Sequence, residues 1–304
     1  MAYRFGIDLG GTKTEIAVLD EEGEFIARFR TPTPSADYDS MISTIVRLVD
    51  EATGAVGSPR SIGVGHPGAI SPVTGLIKNS NTTVLNGRPL AQDLATALRR
   101  PVALANDADC LALSEAQDGS GSGYEIVFGV IIGTGVGGGI VVRQSLVRGP
   151  NAITGEWGHN PLPAPDETER PGPDCYCGRS GCIETFLSGR GLARTYRDVA
   201  HEEVPATTVA QRAAAGETNA VQTVELYCLR LAKALAAVIN LLDPHVIVLG
   251  GGVSNIESVY ELVPQMWGDH VLSDTVETKL IAALHGDSSG VRGAAWLTEV
   301  SAQP

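Results

Sequence analysis

"YRFGIDLGGTKTEIAVLD" (Tyr3 to Asp20) and "IVFGVIIGTGVGGGIVV" (Ile126 to Val142) are the stretches whose reading decides the fold. In the first, an apolar, β-prone run from Tyr3 to Leu9 meets a glycine turn, and the apolar pattern resumes from Ile16 to Leu19. The second repeats that order. "FGVIIGTG" at Phe128 lines up with "FGIDLGGT" at Phe5, and Ile140-Val141-Val142 with Ile16-Ala17-Val18 after a one-residue slip. Two strand–glycine–strand hairpins about 123 residues apart point to an internally duplicated α/β fold. Gly133, Gly135 and Gly138 satisfy G-x-G-x-x-G, but β-branched residues follow where a dinucleotide site needs a helix. "DLGGTKT" departs from a Walker A loop for the same reason. Each turn reads either as a plain hairpin turn or as a loop whose backbone N–H groups close on phosphate oxygens.

Working outward, "EFIARFRTPT" predicts a third strand over Glu24 to Thr31, and "DYDSMISTIVRLVDEA" a helix stopped by Gly54. "SIGVGHPGAI" and "PVALAND" read as strands, "PLAQDLATAL" and "ADCLALSEAQ" as helices. "DGSGSGYE" (Asp118 to Glu125) is a hinge candidate. From Asn151 to Cys182 the chain shows no periodicity. A loop of that length asks for a function or a metal clip. A long buried helix, a strand ending in "GGG" and a closing helix follow. The expected domains are 1–120, with a closing helix over 291–304 packing back on it, and 121–290, which holds the loop 156–184. The segments 31–38 and 163–174 read only as exposed.

The net charge of −13 over 304 residues, with no Lys/Arg-rich run, argues against nucleic acid as a partner. No apolar run reaches membrane-spanning length, and "MAYRFGIDLGG" shows no apolar leader core. The expected location is cytoplasmic, where disulfides are rare.

Three of the five cysteines lie in "CYCGRSGC", Cys175 to Cys182. Cys175-x-Cys177-x4-Cys182, with His159 earlier in the same loop, is a Cys3His set, a closed tetrahedral zinc type. Redox thiols and a disulfide are the other readings, and Asp174 is the fallback fourth ligand. Cys110 and Cys228 read as core residues within helices. Asn106 and Asp107 stand where a strand passes into a helix. They suit a helix N-cap, and a carboxylate there also suits a general base. "GGG" at Gly250–Gly252 is a strand-end turn, where α/β sheets bind ligands.

Asp8-x-Gly-Gly-Thr-Lys13, Asn106-Asp107, Gly133-Thr-Gly135, Glu156-x-x-His159, Cys175-x-Cys177-x4-Cys182-x-Glu184 and Gly250-Gly-Gly252 together resemble the ROK family of bacterial sugar kinases and related repressors. The resemblance runs from Phe5 to about Trp296. It implies a two-domain duplicated actin/hexokinase-like (ribonuclease H-like) fold with an interdomain active-site cleft. It implies ATP and Mg²⁺ as cofactors and structural Zn²⁺ on His159, Cys175, Cys177 and Cys182. Gly6, Asp8, Gly10, Gly11, Thr12, Lys13, Gly133, Thr134, Gly135, Gly250, Gly251 and Gly252 are implied in nucleotide and Mg²⁺ binding. Asn106, Glu156, His159 and Glu184 are implied as sugar contacts, Asp107 as the base, and a homodimer as the assembly. "GAISPVTGLIKNSNTTVLNG", "EWGHNPLP", "CYCGRSGCIETFLSG" and "HGDSSGVRGAAWL" look most like the fructokinase (manno(fructo)kinase) branch. D-Fructose is therefore the expected substrate, with mannose and glucose secondary. Glucokinase and N-acetylglucosamine kinase are the alternatives within the family. A sugar-sensing regulator without turnover is the rival class. With the first strand starting near residue 3, no room is expected for the repressors' helix-turn-helix.

Overall fold

A computed structural model describes residues 3–297. The chain divides into two compact units. The first comprises the residues up to Gly123, then Gly139–Thr154 and the chain from Leu284 on. The second comprises Tyr124–Gly138 and Gly155–Ala283.

The first unit opens with β1 (Arg4–Leu9), β2 (Lys13–Leu19) and β3 (Phe25–Pro32), an antiparallel meander. The helix α1 (Tyr38–Val56) follows, capped by Asp37, whose side chain accepts from the Ser40 N–H. Gly54 does not stop it. Gly54 has open space around it, so the helix tolerates it at a cost of about 1 kcal/mol, and Gly57 (φ 94°) ends the helix. Then come β4 (Ser61–His66), the two-residue strands β5 (Ala69–Ile70) and β6 (Ile77–Lys78), α2 (Leu90–Leu98), β7 (Ala103–Asn106) and α3 (Asp107–Gln117). The sheet order is β3-β2-β1-β4-β7, with β4 parallel to both β1 and β7. Alternation along β1 sends Phe5, Ile7 and Leu9 to one face, where they join Met41, Ile45 and Leu48 of α1 in a single core.

The second sheet is built from β8 (Ile126–Ile132), β9 (Val136–Val142), β10 (Ser145–Leu146), β11 (Val246–Gly250) and β12 (Lys279–Ala282). Its order is β10-β9-β8-β11-β12, and β11 is parallel to β8 and to β12. Strand for strand this is the plan of the first sheet, so the duplication expected from the two hairpins is present in the topology. The helices of the second unit are α4 (Ile183–Leu187), α5 (Gly189–Ala200), α6 (Ala206–Ala214), the 25-residue α7 (Thr218–Leu242) and α8 (Ser258–Met266).

The closing helix α9 (Ser289–Trp296) belongs to the first unit. Residues 298–304 of the expected helix lie outside the described residues. Gly6 lies beneath α9. A Cβ there would stand 2.1 Å from the Val291 carbonyl oxygen, so this glycine lets the strand and helix pack closely. Glu115 of α3 holds the chain leading into α9. Its buried carboxylate accepts from the N–H groups of Leu284 (2.9 Å) and His285 (3.1 Å) and from the Ser289 hydroxyl (3.0 Å). Asp118 accepts from His285 Nε2 at 2.8 Å and pairs with Arg292. These bonds explain why the chain joins the first unit from Leu284, ahead of the expected residue 291. The Gly/Ser stretch after Asp118 contains the change of unit at Gly123/Tyr124. Among the described residues no helix is long and apolar enough to cross a membrane.

The segment 151–182 is ordered by short 3-10 turns at Trp157–His159 and Glu167–Glu169 and by bridges Pro161↔Cys182 and Asp174↔Ser180. The expectation of a merely exposed 163–174 loop is corrected at Glu169. Its side chain is buried, accepting from Arg230 Nε (2.8 Å) and Lys233 Nζ (3.2 Å) of α7. A capping box with Asp166 sets its backbone. Burial opposes the charge on Glu169, but the bonds from Arg230, the Asp166 N–H and Lys233 together hold its carboxyl below the ordinary value.

Candidate active site and metal centre

In the first unit the glycine turn between β1 and β2 is closed by the Gly10 N–H donating to the Lys13 carbonyl at 3.0 Å. Thr33 braces it: its hydroxyl donates to the Gly10 carbonyl (2.8 Å) and its N–H to the Thr12 carbonyl (3.0 Å). Gly11 and Thr12 are exposed and Lys13 is half-buried, so the loop offers donors outward. Asp8 ends β1 just before it. Burial, then the charge of Asp107, then that of Glu15 raise Asp8 to about 6, against the pull of Lys13 and Arg30. Gly290, in the first turn of α9, brings that helix's N-terminal end beside the Asp8 carboxylate, a contact not foreseen in the sequence.

Asn106 is the N-cap of α3. Its Oδ1 accepts from the Asp109 N–H at 2.6 Å, which leaves the amide NH₂ as the group it can offer a ligand. Asp107 accepts from the Ala108 N–H at 2.9 Å. Its side chain remains open to solvent, while the protein packed around the carboxyl raises it above the ordinary value despite the local N–H bonds. A raised, accessible carboxylate at a strand's C-terminal end has the properties of a proton acceptor.

In the second unit the donor atoms of His159, Cys175, Cys177 and Cys182 lie within 4.8 Å of one another. Cys177 Sγ to Cys182 Sγ is 3.6 Å, and Cys175 Sγ to His159 Nδ1 is 3.5 Å. A tetrahedral zinc with ordinary bond lengths would set these edges at about 3.8 and 3.6 Å. The four donors therefore fit the ion. Burial, then its two thiol neighbours, hold the Cys182 thiol up at about 12, so ionising three thiols this close calls for a cation. Asp174 is not part of the set; its carboxylate accepts from the Ser180 hydroxyl at 3.0 Å. Gly178 (φ 86°) and Gly181 (φ 71°) supply the left-handed turns that fold the knuckle.

The same unit gathers Glu156, His159 and Glu184 around this cluster. Between the first two, Trp157 and Gly158 anchor the chain. The Trp157 indole is buried, donates to the Gly137 carbonyl (3.1 Å) and meets Phe128 edge to face. A Cβ on Gly158 would stand 2.3 Å from the Val136 carbonyl oxygen. Glu184 opens α4, two residues past Cys182, and its Oε2 accepts from the Val136 N–H at 2.9 Å. The Gly133 carbonyl accepts from the Gly189 N–H at 2.8 Å. The Gly133–Gly135 turn, with Thr134 exposed at its tip, is thereby tied at both ends to the segment that follows the third cysteine. At the end of β11, Gly251 (φ 83°) turns against the Ile132 carbonyl, where a Cβ would stand at 2.4 Å, and Gly252 faces open space.

Sequence reasoning placed the cysteines and glutamates but missed three supporting residues: Trp157, Gly158 and Tyr176. The Tyr176 hydroxyl lies 2.9 Å from His159 Nε2. The "WG" between Glu156 and His159 carried a signal for the first two, an aromatic beside a glycine at the start of an aperiodic loop.

The family model for the ROK family matches residues 4–300. An N-acetyl-D-glucosamine kinase of Yersinia pseudotuberculosis is 42% identical over 298 residues, 96% of this chain and 98% of that protein. This relative and one from Pectobacterium atrosepticum, 40% identical over 298 residues, are N-acetyl-D-glucosamine kinases and not the expected fructokinases. A ROK hexokinase from Thermus thermophilus superposes with a TM-score of 0.86 at 29% identity, covering 97% of each chain. A ROK glucokinase from Streptomyces griseus, in complex with glucose and AMPPNP, does so with 0.78 at 27% identity, covering 97% of this chain and 98% of that one. With the duplicated sheets, the two glycine turns and the Cys3His knuckle, these matches establish that the chain belongs to the ROK family.

Proposed function

We propose that the protein is an ATP-dependent hexose kinase. The observation that carries this reading is Glu184: its carboxylate, two residues past the Cys3His knuckle, accepts from the Val136 N–H, directly after the Gly133–Gly135 turn. A residue suited to sugar hydroxyls and a turn suited to phosphates are thus parts of one framework. Asp107 takes the proton of the sugar's primary hydroxyl as that oxygen attacks the γ-phosphorus. The bond from the γ-phosphorus to the β–γ bridging oxygen breaks, and ADP leaves. The Gly10–Lys13 and Gly133–Gly135 turns hold phosphate oxygens with N–H and hydroxyl donors. Glu156, His159 and Glu184 accept from or donate to the sugar hydroxyls, and the Asn106 amide donates to one. Mg²⁺, when bound near Asp8, supplies neutralisation of the phosphate charge. Catalysis of this kind is positioning and electrostatics. His159, Cys175, Cys177 and Cys182 would hold a structural zinc, which would fix the loop in shape.

For the acceptor sugar, the 42%-identical relatives support N-acetyl-D-glucosamine. A second reading, D-fructose, rests on the resemblance of the 68–87 segment and of "EWGHNPLP" to fructokinases. A 6-kinase acting on fructose must take the furanose, since in the pyranose the 6-oxygen is in the ring. Sugars of this similarity are separated by about 1–3 kcal/mol of local contacts, which family membership does not determine. The test is ADP release with N-acetyl-D-glucosamine, fructose, mannose and glucose. The sugar with the highest kcat/KM decides between the readings, and turnover of none of them refutes the kinase reading.

A further inference from the structure

With Nδ1 of His159 turned to the thiol cluster, zinc held there would leave the ring proton on Nε2, the nitrogen open to a ligand. It is not vacant: the Tyr176 hydroxyl stands 2.9 Å away, and the two rings meet edge to face, centroids 5.1 Å apart at 86°. Tyr176 lies between Cys175 and Cys177, so the knuckle fixes its backbone. Its side chain is 75% exposed and held by little else than this contact. The phenol therefore uses the free donor of one residue of the proposed sugar site.

We propose that Tyr176 is the sugar-selecting residue: its hydroxyl occupies the His159 Nε2 donor that a sugar hydroxyl takes on binding, and its ring bounds the space beside that hydroxyl. This rests on the hexose kinase reading. The exchange swaps one oxygen acceptor for another on the same N–H, so it weakens binding without preventing it. A sugar with small substituents enters with a modest swing of the exposed ring. A sugar carrying an acetamido group next to the bound hydroxyl must displace the ring further, so Tyr176 narrows a preference for N-acetyl-D-glucosamine over fructose and does not create it.

The experiment uses the zinc-loaded full chain, with sugar affinity measured by calorimetry without nucleotide, steady-state kinetics alongside, and Tyr176→Phe and Tyr176→Ala as variants. Tyr176→Phe removes the competing oxygen: sugar Kd and KM should fall about two- to tenfold while kcat and the KM for ATP hold. Tyr176→Ala should in addition shift kcat/KM for N-acetyl-D-glucosamine relative to fructose upward by about tenfold or more. A role confined to bracing the knuckle would instead lower zinc content or melting temperature with no change of sugar ranking. A Tyr176→Phe variant whose sugar Kd rises or stays unchanged overturns the competition. An unchanged ranking in Tyr176→Ala overturns the selection. If the wild type binds no hexose, the kinase reading itself fails and this inference falls with it, an outcome distinct from both.

Discussion

Replacing Gly135 by alanine tests whether the phosphate turn positions the sugar ligand. A Cβ at Gly135 would stand 2.6 Å from Glu184 Oε2, where ordinary contact begins at 3.4 Å, so the carboxylate must withdraw by about 0.8 Å (3.4 − 2.6). A displacement of that size takes the 2.9 Å bond from the Val136 N–H out of hydrogen-bonding range. Hydrogen bonds to a charged group contribute about 1.5–3 kcal/mol, and about 1.4 kcal/mol is tenfold in affinity. If the bond holds Glu184 in its sugar-binding pose, its loss weakens sugar binding by roughly 10- to 150-fold. Gly135 is not among the residues with positive φ, and the clashing atom is the end of a flexible side chain, so the backbone accepts alanine and the fold survives. The assay is sugar titration by calorimetry without nucleotide, with a melting curve to verify folding. A folded Gly135→Ala protein whose sugar Kd stays within about twofold of wild type would refute the coupling between turn and sugar site.

Asp107→Asn should lower kcat by about 10²–10⁴-fold, and a loss below about tenfold removes Asp107 as the base. Because its carboxyl is raised and must be ionised to accept a proton, kcat/KM in the wild type should decline on the acid side at a pH above the ordinary aspartate range. Purified protein should hold about one zinc per chain, and Cys177→Ser should lower zinc content, stability and sugar affinity together while the KM for ATP changes little; an unchanged sugar Kd in a folded, zinc-free variant would reduce the knuckle to a staple. Glu169→Ala leaves Arg230 and Lys233 buried without their anion and should cost about 3–5 kcal/mol in chemical denaturation. Glu169 has a depressed folded pKa, so its contribution is present in full above its unfolded value of about 4.3 and lost as pH falls through the folded one. The Ala variant should accordingly lose less stability than wild type on acidification below about pH 4.3, and an equal loss would place the acid sensitivity elsewhere.

Local pattern was enough for much of this molecule. Alternation and glycines located both hairpins, and their similarity announced the duplication, because strand and turn chemistry act over a few residues. The four metal-ligating residues were legible for the same reason: a knuckle is specified by spacing. Asn106 could be read as a cap from its place at a strand end, and the structure shows that cap; the role of base for Asp107 stays a proposal. By contrast, no local pattern says that α9, from the far end of the chain, packs directly on Gly6. Glu169 looked solvated, as an acid in "DETER" does, until Arg230 and Lys233, more than 60 residues later, supplied its partners. The same limit hid the role of Glu115 in gathering residues 284–289.

The sequence by itself determined the family and the duplicated sheet plan, and it named the residues proposed here as donors for phosphate, zinc and sugar. Tertiary structure alone decided which unit each segment joins, that Glu184 accepts from the Val136 N–H just past the Gly133–Gly135 turn, and that Tyr176 stands on His159 Nε2. Periodicity and motif spacing encode what a few neighbouring residues do to the backbone. The orientation of a side chain toward a partner tens of residues away depends on how whole elements pack, and no local pattern records it.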